Sequence, residues 1–230
     1  MSPALKMPIV CYVTDRKSLG PADTVAGVRE RIRMAIAAGA DWVQIREKDL
    51  PGRVLLGIAR DAVVGTERTR DEGTRPGQGR VIVNDRLDVA LAAGASGVHL
   101  GRESATARDA VKWCRDGNAA AQFLIGVSCH SLEDARDAES AGASYIFFGP
   151  VFETPSKRAF GAAQGITRLA SACEVVRVPV IAIGGVNAEN SAECIRAGAA
   201  RIAAIRLFQE ASNEGALRDA IERLHNLGQA

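Results

Sequence analysis

The chain has 230 residues, 47% of them hydrophobic and 24% charged, which fits one globular α/β domain or two small ones. Its 29 basic and 27 acidic residues leave a net charge of +2, too small to indicate electrostatic binding of nucleic acid. No run of about 18 apolar residues predicts a membrane span, and no secretory leader precedes Ile9, so we expect a cytoplasmic protein. Five scattered cysteines match neither a disulfide framework nor a zinc site.

The tripeptide Ala-Gly-Ala occurs four times, with its glycines 48 to 56 residues apart at Gly39, Gly94, Gly142 and Gly198. Each copy follows a helical pattern and precedes a short β-prone stretch. A glycine after the last helical turn adopts the left-handed conformation that ends a helix at little cost. The repeat therefore predicts a regular alternation of helices and strands.

Eight short apolar runs are predicted strands. In chain order they are Ile9–Val13, Trp42–Val43, Val81–Val83, Gly97–Leu100, Phe123–Val127, Tyr145–Phe148, Pro179–Ile183 and Ile202–Ile205. Their continuous apolar character is typical of a parallel sheet that is covered on both faces. Helical patterns between them include Asp23–Ala38, Arg53–Val64, Leu132–Ala141 and Ala188–Ala197.

Eight strand–helix units in 230 residues predict a single α/β domain over residues 1–230, a (β/α)8 or TIM barrel. An open doubly wound sheet is the competing fold, but no Gly-x-Gly-x-x-Gly motif follows the first strand to indicate its dinucleotide-binding version. Residues 66–79 are polar and aperiodic, and we expect a mobile loop there at the amino-terminal face of the barrel rather than an arginine-rich binding arm.

In such barrels the chemistry lies where the strands end, and polar residues gather there in this sequence. Gln44, Arg46 and Lys48 alternate after the second strand, so they share one face if the strand continues. Cations directed at a barrel axis are costly without a partner, which indicates an anionic ligand. An internal ion pair with a carboxylate such as Asp85 is the alternative.

Asn84 and Asp85 follow the third strand, where they suit either a magnesium site or the cap of the next helix. His99, at the end of the fourth strand, points inward by alternation and is more typical of a hydrogen-bonded core residue. Ser128 and His130 alternate after the fifth strand and face the expected pocket, but no acidic residue precedes His130 to complete a triad.

The last three strands end in residues that suit phosphate. Thr154, Ser156 and Lys157 lie in a long loop after the sixth strand, where hydroxyls and a cation can hold an anion. Gly185 and the Ile205-Arg206 turn follow the seventh and eighth strands, the usual phosphate cradle of these barrels. Two anion sites result, a cationic one at the ends of the second, third and sixth strands and a backbone cradle at the ends of the seventh and eighth. A substrate pair that carries a diphosphate and a monophosphate would fit them.

Seven motifs resemble those of the thiamine phosphate synthase family, which includes the related thiazole tautomerases. They are Tyr12-Val13-Thr14-Asp15, Gln44-Ile45-Arg46-Glu47-Lys48, Val83-Asn84-Asp85-Arg86, Gly97-Val98-His99-Leu100-Gly101, Gly126-Val127-Ser128-Cys129-His130-Ser131, Phe148-Gly149-Pro150-Val151-Phe152 and Ala182-Ile183-Gly184-Gly185-Val186. The likeness runs from about Tyr12 to Phe208, nearly the whole chain, with the motifs in the same order.

The resemblance implies a transferase that couples hydroxymethylpyrimidine diphosphate to thiazole phosphate, releasing thiamine phosphate and pyrophosphate. It places substrate contacts on Gln44, Arg46, Lys48, Asn84, Ser128, Thr154, Ser156, Lys157, Gly185, Ile205 and Arg206. It implies catalytic roles for Arg46, Lys48, Lys157 and His130, with Mg²⁺ as the cofactor and Asp85 as one of its ligands. The implied partners are these two small molecules, without nucleic acid or membrane, and association into a homo-oligomer stays open.

Three positions depart from the synthase pattern. Ser104 replaces the second magnesium aspartate, and the adjacent Glu103 would have to shift by one residue to substitute for it. Glu153 precedes Thr154, as in the tautomerases, which use a histidine matching His130 as acid/base. Arg206 replaces a small serine. The complete diphosphate set favours the synthase, with a tautomerase and a non-catalytic thiazole- or thiamine-phosphate binding protein as the alternatives.

Overall fold

The computed structural model describes residues 9–71, 79–154 and 162–227. Eight parallel strands form a closed barrel in sequence order, which confirms the predicted TIM barrel. The strands are β1 (Ile9–Val13), β2 (Trp42–Ile45), β3 (Arg80–Asn84), β4 (Gly97–Leu100), β5 (Leu124–Cys129), β6 (Tyr145–Phe148), β7 (Val180–Ile183) and β8 (Arg201–Ala204).

Helices lie between the strands on the outside of the barrel. They are α1 (Val25–Ala37), α2 (Gly52–Asp71), α3 (Leu87–Ala92), α4 (Ala107–Trp113), α5 (Leu132–Ser140), α6 (Gly165–Val175), α7 (Ser191–Arg196), α8 (Arg206–Gln209) and α9 (Glu214–Asn226), with a 3-10 segment at Arg16–Ala22 and a π segment at Cys114–Asn118. Within the described ranges, none of these helices is both long and apolar enough to cross a membrane.

The Ala-Gly-Ala repeat ends helices as the sequence predicts. At the first copy Gly39 has φ 96°, its N–H donates to the carbonyl of Ile36, and the N–H of Ala40 donates to that of Ala35. In the other three copies the glycine also has a positive φ, and the glycine and the alanine after it donate the corresponding two bonds to carbonyls of the preceding helix. This turn directs each helix into the next strand at the amino-terminal face.

Strand β2 shows how alternation separates two cores. Val43 and Ile45 pack against the helices, whereas Trp42 lies in a second apolar cluster inside the barrel. Gln44 shares the inward face and is buried at the carboxyl end of the strand. Strand β2 is thus buried on both faces, and its inward polar residue, Gln44, lies near the mouth of the barrel.

Helix α2 continues to Asp71, so the first part of the segment predicted as a loop, residues 66–71, is helical. Thr66 is buried, and its hydroxyl donates to the carbonyl of Val63. The hydroxyl of Thr69 donates to the carbonyl of Thr66 in the same way. These local bonds satisfy the threonine hydroxyls within a helix that composition alone assigns to a loop. Residues 72–78 lie outside the described ranges.

The amino-terminal end of the barrel is closed by buried polar contacts. Asp41 accepts hydrogen bonds from the N–H of Val10 at 2.8 Å and from Nε2 of His225 at 2.6 Å, which joins α9 to the first two strands. Arg201 lies 4.4 Å from the centre of the Trp42 ring, and burial lowers its pKa to about 10. These groups hold the bottom of the barrel closed, so access is from the carboxyl end.

Candidate active site at the carboxyl end of the barrel

A cavity of about 550 Å³, here called the main cavity, lies at the carboxyl ends of the strands. The loops after β1 and after β5 to β8 form its walls. Five of the residues predicted to bind substrate line it, namely Ser128, Thr154, Gly185, Ile205 and Arg206, together with His130, which was predicted to be catalytic. The structure therefore brings together predicted site residues from four successive strand ends.

A second group of predicted residues lies at the ends of β2, β3 and β4 and does not line the main cavity. This polar cluster consists of Gln44, Arg46, Lys48, Asn84, Asp85 and Ser104. Nε2 of Gln44 donates to Oδ1 of Asn84 at 2.8 Å, and Nδ2 of Asn84 donates to Oδ2 of Asp85 at 2.6 Å. Oε1 of Gln44 is buried and has no hydrogen-bond partner among the described residues. An acceptor in this position is ready for a donor group of a ligand.

Asp85 is the most constrained member of the polar cluster. It has φ 61°, a left-handed conformation that few residues other than glycine adopt, and its N–H donates to the carbonyl of His99 at 2.8 Å. Oδ1 accepts from the N–H of Gly101 at 3.3 Å and from the hydroxyl of Ser104. Neither Asn84 nor Asp85 caps α3, because Arg86 occupies the N-cap position.

Ser104, rather than Glu103, contacts Asp85. The Glu103 side chain is exposed, one residue away from the hydroxyl that reaches the carboxylate. Within the described ranges, no group of three or more His, Cys, Asp or Glu side chains could hold a metal ion. The protein thus offers one carboxylate and one hydroxyl at the predicted metal position.

The two cations of the polar cluster differ in their surroundings. Strand β2 ends at Ile45 and Lys48 lies in a turn, so the expected alternation through Lys48 stops early. Nζ of Lys48 lies 3.9 Å from Oδ2 of Asp85, with the Lys48 side chain 53% exposed, so the internal ion pair expected as an alternative is present in weak form. Arg46 has no ion pair among the described residues, and its N–H donates to the hydroxyl of Thr14 at 2.9 Å.

Glu47 anchors the loop that carries these cations. It is buried, and its carboxylate accepts from the N–H of Arg16 at 3.1 and 3.2 Å. Burial raises the pKa of Glu47. The Arg16 guanidinium also donates to Asp49 at 2.7 Å, which ties the loop after β1 to the loop after β2. Glu47 was not among the predicted site residues, because a charged residue between two cations in the sequence is typical of an exposed position.

His99 joins the polar cluster to the main cavity. Its Nε2 lies 2.9 Å from Oγ of Ser128, and its Nδ1 lies 3.3 Å from the hydroxyl of Tyr145. The ring is 1% exposed and packs on Phe147, with ring centres 4.3 Å apart. Burial lowers the pKa of His99 to about 3, so it is a neutral, hydrogen-bonded core histidine, as its pattern predicts.

His130 lies in the wall of the main cavity. Its N–H donates to Oδ2 of Asp134 at 2.8 Å, and Nδ1 is bonded to the carbonyl of Gly149. Because a carbonyl only accepts, Nδ1 carries the proton of the neutral ring and Nε2 is an acceptor. The side chain is therefore chemically able to take a proton, although nothing in its contacts requires that role.

The loop after β6 rests directly on the Gly184-Gly185 pair. The N–H of Val151 donates to the carbonyl of Ile183, and that of Phe152 donates to Gly184, both at 2.9 Å. Gly185 has φ 67°, and a Cβ there would lie 2.7 Å from the carbonyl oxygen of Glu153. Glycine at both positions therefore lets this loop pack closely, and it also leaves the backbone at the cavity wall uncovered by side chains.

Two predicted residues, Ser156 and Lys157, lie outside the described ranges. Asp15, Ser18 and Asn187 line the main cavity and were missed. Asp15 follows β1 and Asn187 follows β7, so their position at strand ends was a usable signal.

A closed parallel barrel with its main cavity and a polar cluster at the carboxyl ends of the strands is the arrangement of a (β/α)8-barrel enzyme. The chain belongs to the thiamine monophosphate synthase family, whose model matches residues 10–208. The family resemblance of the motifs is therefore confirmed.

Individual relatives agree with this assignment. A protein of Geobacter sulfurreducens, provisionally named thiamine-phosphate synthase, is 44% identical over 193 residues, which cover 84% of this chain and 83% of the relative. The thiamine-phosphate synthase of Chlorobium phaeobacteroides is 36% identical over 218 residues, or 94% of this chain and 96% of the relative. The solved structure of thiamine phosphate pyrophosphorylase from Pyrococcus furiosus aligns with a TM-score of 0.76 and 32% identity, covering 96% of this chain and 95% of that chain.

Proposed function

We propose that the protein is a transferase that couples hydroxymethylpyrimidine diphosphate to thiazole phosphate, giving thiamine phosphate and pyrophosphate. The observation that carries the proposal is the juxtaposition of the polar cluster and the main cavity at one barrel mouth, in a chain of this family. The named relatives are synthases, which favours this reaction over the tautomerase and binding-protein alternatives.

The polar cluster suits the pyrimidine diphosphate. Oε1 of Gln44 is a buried acceptor without a partner among the described residues, as an exocyclic amino group requires. Arg46 and Lys48 supply cations for the diphosphate, and we expect Lys157, which lies outside the described residues, to supply a third. The bidentate guanidinium of Arg46 is the strongest donor of the three for phosphate oxygens.

The main cavity suits thiazole phosphate. Gly185 and Ile205 bring open backbone to its wall, and Arg206 adds an exposed cation at the start of α8. Arg206 has no ion pair among the described residues, so its charge is available to a phosphate. Thr154 and Ser128 lie between this end and the diphosphate end and contribute hydroxyls.

The reaction needs positioning and charge stabilisation rather than a protein nucleophile. The bond from the pyrimidine methylene carbon to the diphosphate oxygen breaks, and pyrophosphate leaves with the electron pair. The thiazole nitrogen then donates its lone pair to the methylene carbon, forming the carbon–nitrogen bond. Cations at the leaving group and a fixed orientation of the two rings lower the barrier to these steps. Burial raises the pKa of the nearby Cys129 thiol to about 12, so it is not a competing nucleophile.

Magnesium fits the site only together with the diphosphate. Asp85 provides one carboxylate and Ser104 a hydroxyl, and Mg²⁺ commonly combines one or two carboxylates with substrate phosphates. Held by Asp85, Ser104 and the diphosphate, Mg²⁺ would supply positive charge to the leaving group. Glu103 would have to turn inward to become a second carboxylate ligand.

The test is incubation of the purified protein with both substrates and magnesium, with thiamine phosphate and pyrophosphate measured together. We expect the two products in equal amounts, and none when either substrate is omitted. Turnover of a thiazole tautomer without any thiamine phosphate would instead establish the tautomerase. Binding of thiazole phosphate without turnover of any kind would establish the binding protein.

A further inference from the structure

Tyr145, His99 and Ser128 form a line of hydrogen bonds from the barrel interior to the wall of the main cavity. The Tyr145 hydroxyl lies 3.3 Å from Nδ1 of His99, and Nε2 of His99 lies 2.9 Å from Oγ of Ser128. Tyr145 and His99 are each 1% exposed, whereas Ser128 lines the cavity. The line thus connects a buried hydroxyl to a hydroxyl that a ligand can reach.

Gly126 makes room for this line. It pairs with His99 on β4 and with Tyr145 on β6, so it lies between them in the same layer of the barrel. A Cβ on Gly126 would lie 2.1 Å from the Tyr145 ring, so any larger residue would displace that ring. The missing side chain is what lets the Tyr145 hydroxyl reach across to His99.

The direction of the hydrogen bonds follows from the buried hydroxyl. In the described part of the chain, Nδ1 of His99 is the one hydrogen-bond partner of the Tyr145 hydroxyl. A buried donor left unsatisfied is costly, so Tyr145 donates and Nδ1 accepts. The neutral ring then carries its proton on Nε2 and donates it to Oγ of Ser128.

We propose that Tyr145 and His99 are positioning residues that fix Ser128 as a hydrogen-bond donor into the main cavity. Oγ of Ser128 already accepts from His99, so its own proton is directed to the ligand. If His99 were doubly protonated, Nε2 would still donate to Oγ of Ser128. Only a neutral ring with its proton on Nδ1 would make Nε2 an acceptor and Ser128 the donor to it. The ligand atom that meets Ser128 is therefore an acceptor, either a phosphate oxygen or an aromatic ring nitrogen.

The first test observes the proton directly in the ligand-free protein. The chain has three histidines, so ¹⁵N NMR of the imidazoles is simple, and His130→Asn and His225→Gln identify the other two signals. We expect Nε2 of His99 to carry a proton. A proton-free Nε2 would overturn the proposal.

Removal of the Tyr145 hydroxyl gives the second measurement. In Tyr145→Phe nothing among the described contacts donates to Nδ1, so we expect the His99 signals to move toward the other tautomer. Tyr12→Phe is the matched control, because Tyr12 is a fully buried tyrosine packed on Phe208 in the outer core. Equal changes in the two variants would contradict the proposal.

The third test asks what Ser128 meets, and only its choice of probes rests on the proposed function. Two probes, inorganic pyrophosphate and hydroxymethylpyrimidine without its diphosphate, are titrated separately into the wild type and into Ser128→Ala. We expect about tenfold weaker binding of one probe, which names the acceptor as phosphate or ring nitrogen. Tyr145→Phe should weaken the same probe by a few-fold, and the double variant should be no weaker than Ser128→Ala.

Unchanged binding of both probes in Ser128→Ala, or strictly additive effects in the double variant, would overturn the proposal. If Nε2 of His99 carries a proton but the protein makes no thiamine phosphate, the proposal about Tyr145 and His99 stands and the proposed reaction is wrong. The two failures are therefore distinguishable.

Discussion

The polar cluster and the main cavity, the two halves of the barrel mouth, are held in place by different kinds of interaction. In the polar cluster, side chains hold one another: Gln44 donates to Asn84, Asn84 donates to Asp85, and Asp85 accepts from Ser104. In the main cavity the loops hold one another through backbone hydrogen bonds, as where the loop after β6 rests on Gly184. The first half is fixed by side-chain chemistry and the second by backbone shape.

This difference predicts different kinds of sensitivity. A network of mutually bonded polar groups is preorganised for charge, so loss of one member should reduce the rate of the chemical step. A cavity shaped by backbone and glycine should respond to changes in its exposed side chains mainly through substrate affinity. His99 connects the halves, because its backbone carbonyl accepts from Asp85 and its ring contacts Ser128.

The largest effect is expected for Arg46→Ala in the polar cluster. Removal of the cation that has no ion pair in the described structure should lower kcat/KM for the pyrimidine diphosphate by about 10²–10³-fold, because the leaving group loses a charged donor. Steady-state kinetics with each substrate varied in turn checks this, and KM for thiazole phosphate should stay within about twofold. Arg60→Ala, an exposed arginine on α2, is the control. A rise in KM for thiazole phosphate as large as the loss in kcat/KM for the pyrimidine diphosphate would contradict the division of the mouth.

A smaller effect is expected for Arg206→Ala at the main cavity. Loss of one exposed charged contact should raise KM for thiazole phosphate about tenfold and leave kcat within about twofold. Arg206→Lys should fall between the wild type and the alanine variant, because it keeps the charge without the bidentate geometry. If only KM for the pyrimidine diphosphate rose, Arg206 would instead bind that substrate, and the assignment of Arg206 to thiazole phosphate would be wrong.

The variant Ser104→Asp tests whether the polar cluster binds magnesium. With one carboxylate and a hydroxyl, we expect Mg²⁺ to bind the ligand-free wild type weakly, and a second carboxylate should tighten binding by about three- to tenfold. Calorimetric titration with Mg²⁺ alone measures this. Glu103→Gln is the matched control and should change nothing, because Glu103 is exposed. Tight stoichiometric binding by the wild type would contradict the first expectation, and weaker binding in Glu103→Gln would show that Glu103 is a ligand.

The fold was predictable because it depends on patterns that local physics fixes. Gly39 ends α1 for conformational reasons visible in the sequence, and the apolar run around Trp42 is buried on both faces because a parallel barrel covers both. The end of α2 was not predictable from composition, since the Thr66 and Thr69 hydroxyls bond back within the helix.

The sequence predicts which strand ends carry the site residues, but not the hydrogen bonds that connect those residues. The bond between Gln44 and Asn84 joins two neighbouring strands, so it depends on sheet register that no single segment encodes. The choice of Ser104 over Glu103 depends on the path of the loop after β4. Glu47 was missed because its burial results from the loop after β1 folding over it.

The smallest effect is expected for His130→Ala, which tests whether the main cavity supplies chemistry or only shape. Coupling needs no strong base at this position, so activity should fall by less than about tenfold, whereas a proton-transfer role would be worth about 10²–10⁴-fold. The backbone N–H keeps its bond to Asp134 in the variant, and His130→Asn additionally keeps a donor for the carbonyl of Gly149. Wild type and both variants are assayed side by side for thiamine phosphate formation and for thiazole tautomerisation. If the wild type turns over the tautomer, forms no thiamine phosphate and loses all activity in His130→Ala, then the cavity is the catalytic half and the synthase assignment is wrong.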